Sequence, residues 1–237
     1  MTDQPIAVIT GAAGGVGSAC VAELGSAGFW TIGVDVKPGS DADEHLSVDM
    51  ASPDCGNEIA AGVGQRVVEV LVNNAAVGAG TALLDASVES WDGTMAVNLR
   101  APFLTARALH PVLLASGKGV IVNISSVHAR ASAPGVGVYA TSKAGLEALT
   151  RAMALEWGPQ IRANCVLPGA VDTPMLRHGL ERSQQTIDEI AERHPIARVA
   201  SPSEIARVIR FIVVEGTFMT GASVVVDGGA LARLSTE

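Results

Sequence analysis

Short, continuously apolar runs rich in β-branched residues recur along this chain of 237 residues, with longer helical patterns between them. Ile6-Ala7-Val8-Ile9, Thr31-Ile32-Gly33-Val34, Val68-Glu69-Val70-Leu71-Val72, Val120-Ile121-Val122-Asn123-Ile124 and Ser223-Val224-Val225-Val226 read as strands. Leu46-Ser47-Val48 and Ala163-Asn164-Cys165-Val166-Leu167 are weaker candidates. A strand covered on both faces has no solvent side, so its sequence stays apolar instead of alternating. Helical patterns fall near residues 15–27, 54–66, 87–115, 137–157 and 203–214. In the fourth, Leu146, Leu149, Met153 and Trp157 follow one another at helical spacing, and Gly158-Pro159 stops the run. Strand and helix alternating in this way predict an α/β fold: a Rossmann-like, doubly wound parallel sheet of about seven strands with helices on both faces, as a single domain over residues 1–237.

Composition removes several other readings. Hydrophobic types make up 48% and charged ones 17%, too apolar for a disordered chain. A net charge of −8 without any basic run argues against nucleic acid or an anionic membrane as partner. The uncharged stretch from Gln4 to Ala22 is broken by Thr10, Ser18 and four glycines, which suits a buried strand and a tight turn better than a membrane span. Met1-Thr2-Asp3-Gln4-Pro5 lacks the basic start of a signal peptide, and a cytoplasmic protein is expected. Cys20, Cys55 and Cys165 have neither Cys-x-x-Cys nor zinc spacing, and read as buried free thiols. The five histidines show no ligand spacing either, so no metal is expected.

Open α/β sheets bind ligands beyond the carboxyl ends of their strands, and the polar residues of this chain fall there. After the first strand comes Thr10-Gly11-Ala12-Ala13-Gly14-Gly15-Val16-Gly17, followed by a helical pattern. Glycines let the backbone turn tightly and approach a pyrophosphate, and the helix start offers free N–H groups and a positive dipole end. A tight turn that merely needs small residues would look similar. Asp35 ends the second strand, where a carboxylate can accept from both ribose hydroxyls and repel a 2′-phosphate, which favours NAD over NADP. Lys37, two residues on, could soften that preference. Asp49 closes the third strand candidate, within reach of an adenine amino group, and Asn73-Asn74-Ala75-Ala76 follows the fourth. The only tyrosine, Tyr139, stands one helical turn before Lys143. A phenol is a poor base at neutral pH, and a fixed cation nearby lowers its pKa enough for proton exchange with an alcohol or ketone. Taken alone, the pair also fits a buried tyrosine beside a solvated lysine.

With these motifs in order, the chain resembles the short-chain dehydrogenase/reductase family, in its compact single-domain branch. The resemblance runs from Ile6 to Gly229 and rests on Thr10-Gly11-x-x-x-Gly15-x-Gly17, Asp49, Asn73-Asn74-Ala75, Asn98, Ser125-Ser126, Tyr139-x-x-x-Lys143, Pro168-Gly169 and Val226-Asp227-Gly228-Gly229. It implies that Tyr139 is the general acid/base. Lys143 would lower its pKa and bind the nicotinamide ribose, Ser126 would hydrogen bond the substrate oxygen, and Asn98 would help hold a water in a proton relay. Ser126 is chosen over Ser125 because it lies thirteen residues before Tyr139, the family spacing. It further implies NAD contacts from Gly11, Gly15, Val16, Gly17, Asp35, Asp49, Met50, Asn74, Ala75, Tyr139, Lys143, Pro168, Gly169, Val171 and Thr173. Two departures stand out: Ala76 replaces a usual glycine, and Lys37 to Glu44 reads as an acidic loop where the family has a helix.

The implied activity is NAD(H)-dependent interconversion of a secondary alcohol and a ketone, on a sugar, polyol or other small hydroxy compound. The alternatives are a 3-oxoacyl-thioester (acyl-carrier-protein) reductase and a non-catalytic cofactor-binding protein. His128, two residues after Ser126, is expected to face the substrate. Arg177 lies in a segment from about 174 to 200 that reads as a substrate lid rich in positive charge. Family membership implies a homo-oligomer, with a tetramer favoured, built through the 87–115 and 137–157 helices and through the Val226–Gly229 motif.

Overall fold

The computed structural model describes residues 4–78 and 80–233. Its centre is one sheet of seven strands: β1 (Ile6–Thr10), β2 (Trp30–Val34), β3 (Glu44–Leu46), β4 (Val68–Asn73), β5 (Gly119–Ile124), β6 (Ile161–Pro168) and β7 (Ser223–Val226). The spatial order is β3-β2-β1-β4-β5-β6-β7 and every pairing is parallel. The order reverses between β1 and β4, so the crevice for a ligand opens beyond their carboxyl ends.

Successive residues of a strand point to opposite faces, and each face has its own core. Ile6 and Val8 pack with α2 (Cys55–Val63), α4 (Ala101–Ala115) and α5 (Gly137–Trp157) through Ile59, Leu109, Leu113 and Met153. Ala7 and Ile9 pack with α1 (Gly15–Ser26) and α8 (Pro202–Val214) through Val21, Leu24, Ile205 and Ile209. Both faces are therefore covered, as the unbroken apolar strands require.

Three elements differ from expectation. The third strand is Glu44–Leu46 and not Leu46–Val48, because polar contacts fix this edge. Glu44 takes a hydrogen bond from Trp30 and an ion pair from Arg66, while Asp43 accepts from both the N–H and the hydroxyl of Thr31. The helix expected over 87–115 is three pieces: α3 (Val88–Met95), a π-helical segment (Ala96–Arg100) and α4. Within the expected lid, Pro174–Ser183 and Ile187–Ala191 are helical and form α6 and α7. Between β2 and β3 there is no helix, in keeping with the acidic loop read from the sequence. No described helix is long and apolar enough to cross a membrane.

Candidate active site

The turn after β1 is shaped by close backbone approach. Gly11 has φ +67°, and a Cβ there would meet Ala75 Cα at 2.8 Å. At Gly17 a Cβ would stand 2.0 Å from the Gly11 carbonyl oxygen. Asn74 clamps the turn from β4, its Nδ2 donating to the carbonyls of Thr10 and Gly11 at 3.0 and 3.1 Å. The start of α1 has no side-chain cap and no acidic residue in its first turn, so its orphan N–H groups remain available to an anion. Asp35 leans into the same turn: one carboxylate oxygen accepts from the Ala13 N–H at 3.1 Å and the other from Lys37 N–H at 3.0 Å. Asp49 is exposed and caps the turn into α2 through the Ala51 N–H, while Met50 beside it is buried. These residues fit a dinucleotide: open N–H donors for a pyrophosphate, and a carboxylate of the right sign at the ribose position.

The second cluster lies beyond β5. Ser126 lies two residues past that strand, and Tyr139 and Lys143 come from the first two turns of α5. Tyr139 is partly buried; desolvation raises its pKa and the neighbouring Ser126 hydroxyl pulls the other way. Lys143 is 2% exposed, its Nζ donating to the Ile124 carbonyl at 2.7 Å and standing 5.7 Å from the phenol ring centroid. Burial brings this ammonium down to about 8. The sequence led us to expect the cation to lower the phenol's pKa. Here desolvation dominates instead, because the ammonium points at a carbonyl and is itself costly to keep charged.

Asn98 sits in the π-helical segment, wholly buried. Its amide is fully engaged: Oδ1 accepts from Val77 N–H at 2.8 Å, and Nδ2 donates to the Val77 carbonyl at 2.9 Å and to the Ser142 hydroxyl at 3.1 Å. The side chain therefore fastens the loop after β4 to α5.

His128 crosses the Tyr139 ring edge-on at 6.2 Å between centroids. Burial lowers its pKa, and a neutral ring donates from Nδ1 to the Ala131 carbonyl at 3.2 Å, which leaves Nε2 as an acceptor. Pro168, Gly169, Val171 and Thr173 form a strip running from β6 to α6. Val171 bridges to Ala200, and the Thr173 hydroxyl caps α6 through Leu176 N–H while its methyl faces Gly15. Arg177 does not reach toward Ser126 or Tyr139 as a free cation; it makes a two-pronged pair with Asp172 at 2.8 and 2.9 Å. Arg198 pairs with Glu204, and Arg182 donates to the Gly80 carbonyl. Of the segment's arginines, Arg177 and Arg198 thus spend their charge on carboxylates of the protein itself.

Two residues that shape the site escaped the sequence reading. Glu147, one turn beyond Lys143 on the same helical face, pairs with Arg130 at 2.6 Å. This ties the turn carrying Ser126 and His128 to α5. The repeat 139, 143, 147 was the available signal.

Fold and site together define a nucleotide-dependent oxidoreductase. The family model described as enoyl-(acyl carrier protein) reductase matches residues 11–230. L-xylulose reductase of Bos taurus is 35% identical over 238 residues, covering 95% of this chain and 96% of that protein. A 3-oxoacyl-[acyl-carrier-protein] reductase of Thermotoga maritima is 32% identical over an alignment of 242 positions, covering 94% and 96%. The ligand-free aldohexose dehydrogenase of Thermoplasma acidophilum superposes with a TM-score of 0.93 at 29% identity, over 99% of this chain and 97% of that one. The chain belongs to the short-chain dehydrogenase/reductase family, whose members use NAD(P) to act on small molecules.

Proposed function

We propose that this protein is an NAD(H)-dependent dehydrogenase that interconverts a secondary alcohol and a ketone on a sugar, polyol or similar small hydroxy compound. The observation that carries the reading is the cluster of Tyr139, Ser126 and Lys143 at the carboxyl end of β5. A bound nicotinamide supplies the acceptor or donor of the hydride. Tyr139 exchanges the proton on the substrate oxygen, and Ser126 donates to that oxygen as charge develops. Lys143 holds the ribose and replaces the proton Tyr139 loses, through a relay water that Asn98 helps to hold. Gly11, Gly15, Val16 and Gly17 receive the pyrophosphate, Asp49, Met50 and Ala75 border the adenine, and Pro168 to Thr173 border the nicotinamide. Residues 174–200 cover the substrate, and His128 Nε2 accepts from a second substrate hydroxyl.

NAD is preferred on the strength of Asp35, whose carboxylate opposes a 2′-phosphate. The names of the bovine and Thermoplasma relatives support a carbohydrate-like substrate. The Thermotoga relative supports a second reading, reduction of a 3-oxoacyl thioester. The oligomer we propose is a tetramer.

The test is reduction of NAD⁺ and of NADP⁺, followed at the NADH absorbance, over sugars, polyols, hydroxy acids and acyl-thioester analogues. Turnover with NAD⁺ on hydroxy compounds is expected, with near-complete loss in Tyr139→Phe and a narrowed NAD/NADP ratio in Asp35→Ala. Turnover on thioesters alone, or undiminished turnover in Tyr139→Phe, overturns the reading.

A further inference from the structure

His194 follows α7 and is only 7% exposed, an uncommon place for an imidazole unless both nitrogens are satisfied. Both are. Nε2 lies 3.2 Å from the Ala170 N–H, which can only donate, and Nδ1 lies 2.8 Å from the Ile190 carbonyl, which can only accept. One arrangement satisfies the two contacts: a neutral ring with its proton on Nδ1. The same ring packs against Gly169, where an added Cβ would stand 3.0 Å from Nε2 and 2.9 Å from Asp227 Cα on the opposite side.

The contact closes a loop in the fold. The chain leaves the sheet through the strip from Pro168 to Thr173, forms α6 and α7, and returns to the strip it left. Ala200 N–H donates to the Ala170 carbonyl at 2.9 Å, and Asp172 N–H donates to the Ala200 carbonyl at 2.8 Å. Those bonds hold one edge of the strip; His194 alone ties its Ala170 N–H to the end of α7.

We propose that His194 is a positioning residue, which as a neutral imidazole fastens the end of the lid to the Gly169–Ala170 peptide and so sets the strip that receives the nicotinamide. This rests on the cofactor reading above. The experiment is titration of the full-length protein with NADH by fluorescence, with amide hydrogen exchange over residues 174–193, for wild type and three variants. His194→Leu removes both bonds. His194→Asn can reach the Ile190 carbonyl but falls short of Ala170, and His194→Gln extends an acceptor toward the Ala170 N–H. Loss of the Ala170 bond predicts at least about tenfold weaker NADH binding and faster exchange in the Leu and Asn variants, with Gln within about threefold of wild type. Should the Leu variant not fold, the comparison of Asn with Gln decides alone. Equal NADH binding in Asn, Gln and wild type overturns the proposal, as does equal weakening in Asn and Gln. A wild type that binds no NADH overturns the cofactor reading instead.

Discussion

Lys143 is the residue at which function and stability pull apart. An ammonium at 2% exposure has lost its water and keeps one carbonyl, from Ile124. Its fall from 10.5 to about 8 corresponds to roughly 3 kcal/mol charged against the folded state. The sign follows from proton counting. Below pH 8 both folded and unfolded chains hold the proton, and the full cost applies. Between 8 and 10.5 the folded chain releases it while the unfolded chain keeps it, so stability rises with pH. The unfolding free energy of wild type should therefore gain roughly 2 kcal/mol on Lys143→Met between pH 7.5 and 10, in urea titrations at each pH. Parallel curves for the two proteins would show that the ammonium is not held in a costly environment. The sequence offers Lys143 and Tyr139 by their spacing, and Ser126 and Asn98 through the family resemblance; the fold brings Ser126 and Lys143 beside Tyr139 and bonds Asn98 to Ser142 of α5. Glu147 was half-legible, as the next turn of the same face. His194 was not legible, because its partners, Ala170 and Ile190, meet it only through the folded path of the lid.

At the scale of elements, α1 tests what its glycines are for. Gly17 and Gly25 lie in the same helix, and helix propensity alone favours alanine at either by about 1 kcal/mol. Their surroundings differ. A Cβ at Gly17 meets the Gly11 carbonyl oxygen at 2.0 Å and Asn74 Nδ2 at 2.8 Å, whereas one at Gly25 meets nothing within 4 Å. Gly25→Ala should raise the thermal midpoint by about 2–4 °C, and Gly17→Ala should lower it and weaken NADH binding by about tenfold or more. Shifts of the same sign in both would mean that the turn gives way easily and does not define the site. Elements were readable where apolar burial dictates them, as in β1, β4, β5 and α5. The edge strand β3 was misplaced because Trp30, Arg66 and Thr31 set its position through polar contacts that no periodicity records. The π-helical segment around Asn98 was missed for a related reason: its sequence, Ala96-Val97-Asn98-Leu99-Arg100, suits an ordinary helix equally well. The turn Gly228-Gly229, part of the motif proposed at a subunit contact, also packs within its own chain. It faces residues 195–196, with an added Cβ meeting Ile196 at 2.5 Å and Pro195 at 3.0 Å respectively.

Across the whole molecule, the exposed large apolar side chains include two sets on different surfaces, besides others such as Leu83, Leu84 and Trp91 around α3. Phe103, Leu114 and Leu155 lie on α4 and α5, which cover one face of the sheet. Phe211, Val214, Phe218 and Val225 lie around α8 and β7, on the other face and at the sheet's edge. A single patch would predict a dimer. Two patches on different surfaces, each meeting its own copy about a two-fold axis, predict a closed tetramer. Leu155 and Phe218 are the most exposed members, and a carboxylate at either position costs a lone chain little but is expensive inside an apolar contact. By light scattering behind size exclusion, wild type should run as a tetramer, Leu155→Asp and Phe218→Asp each as a dimer, and the double variant as a monomer. A monomeric wild type would remove the proposal, and a tetramer that survives the double variant would place the contacts elsewhere. Because α5 carries both Leu155 and the Tyr139–Lys143 turn, the Leu155→Asp dimer should also lose part of its turnover, whereas Phe218→Asp, which lies outside α5, should retain its own.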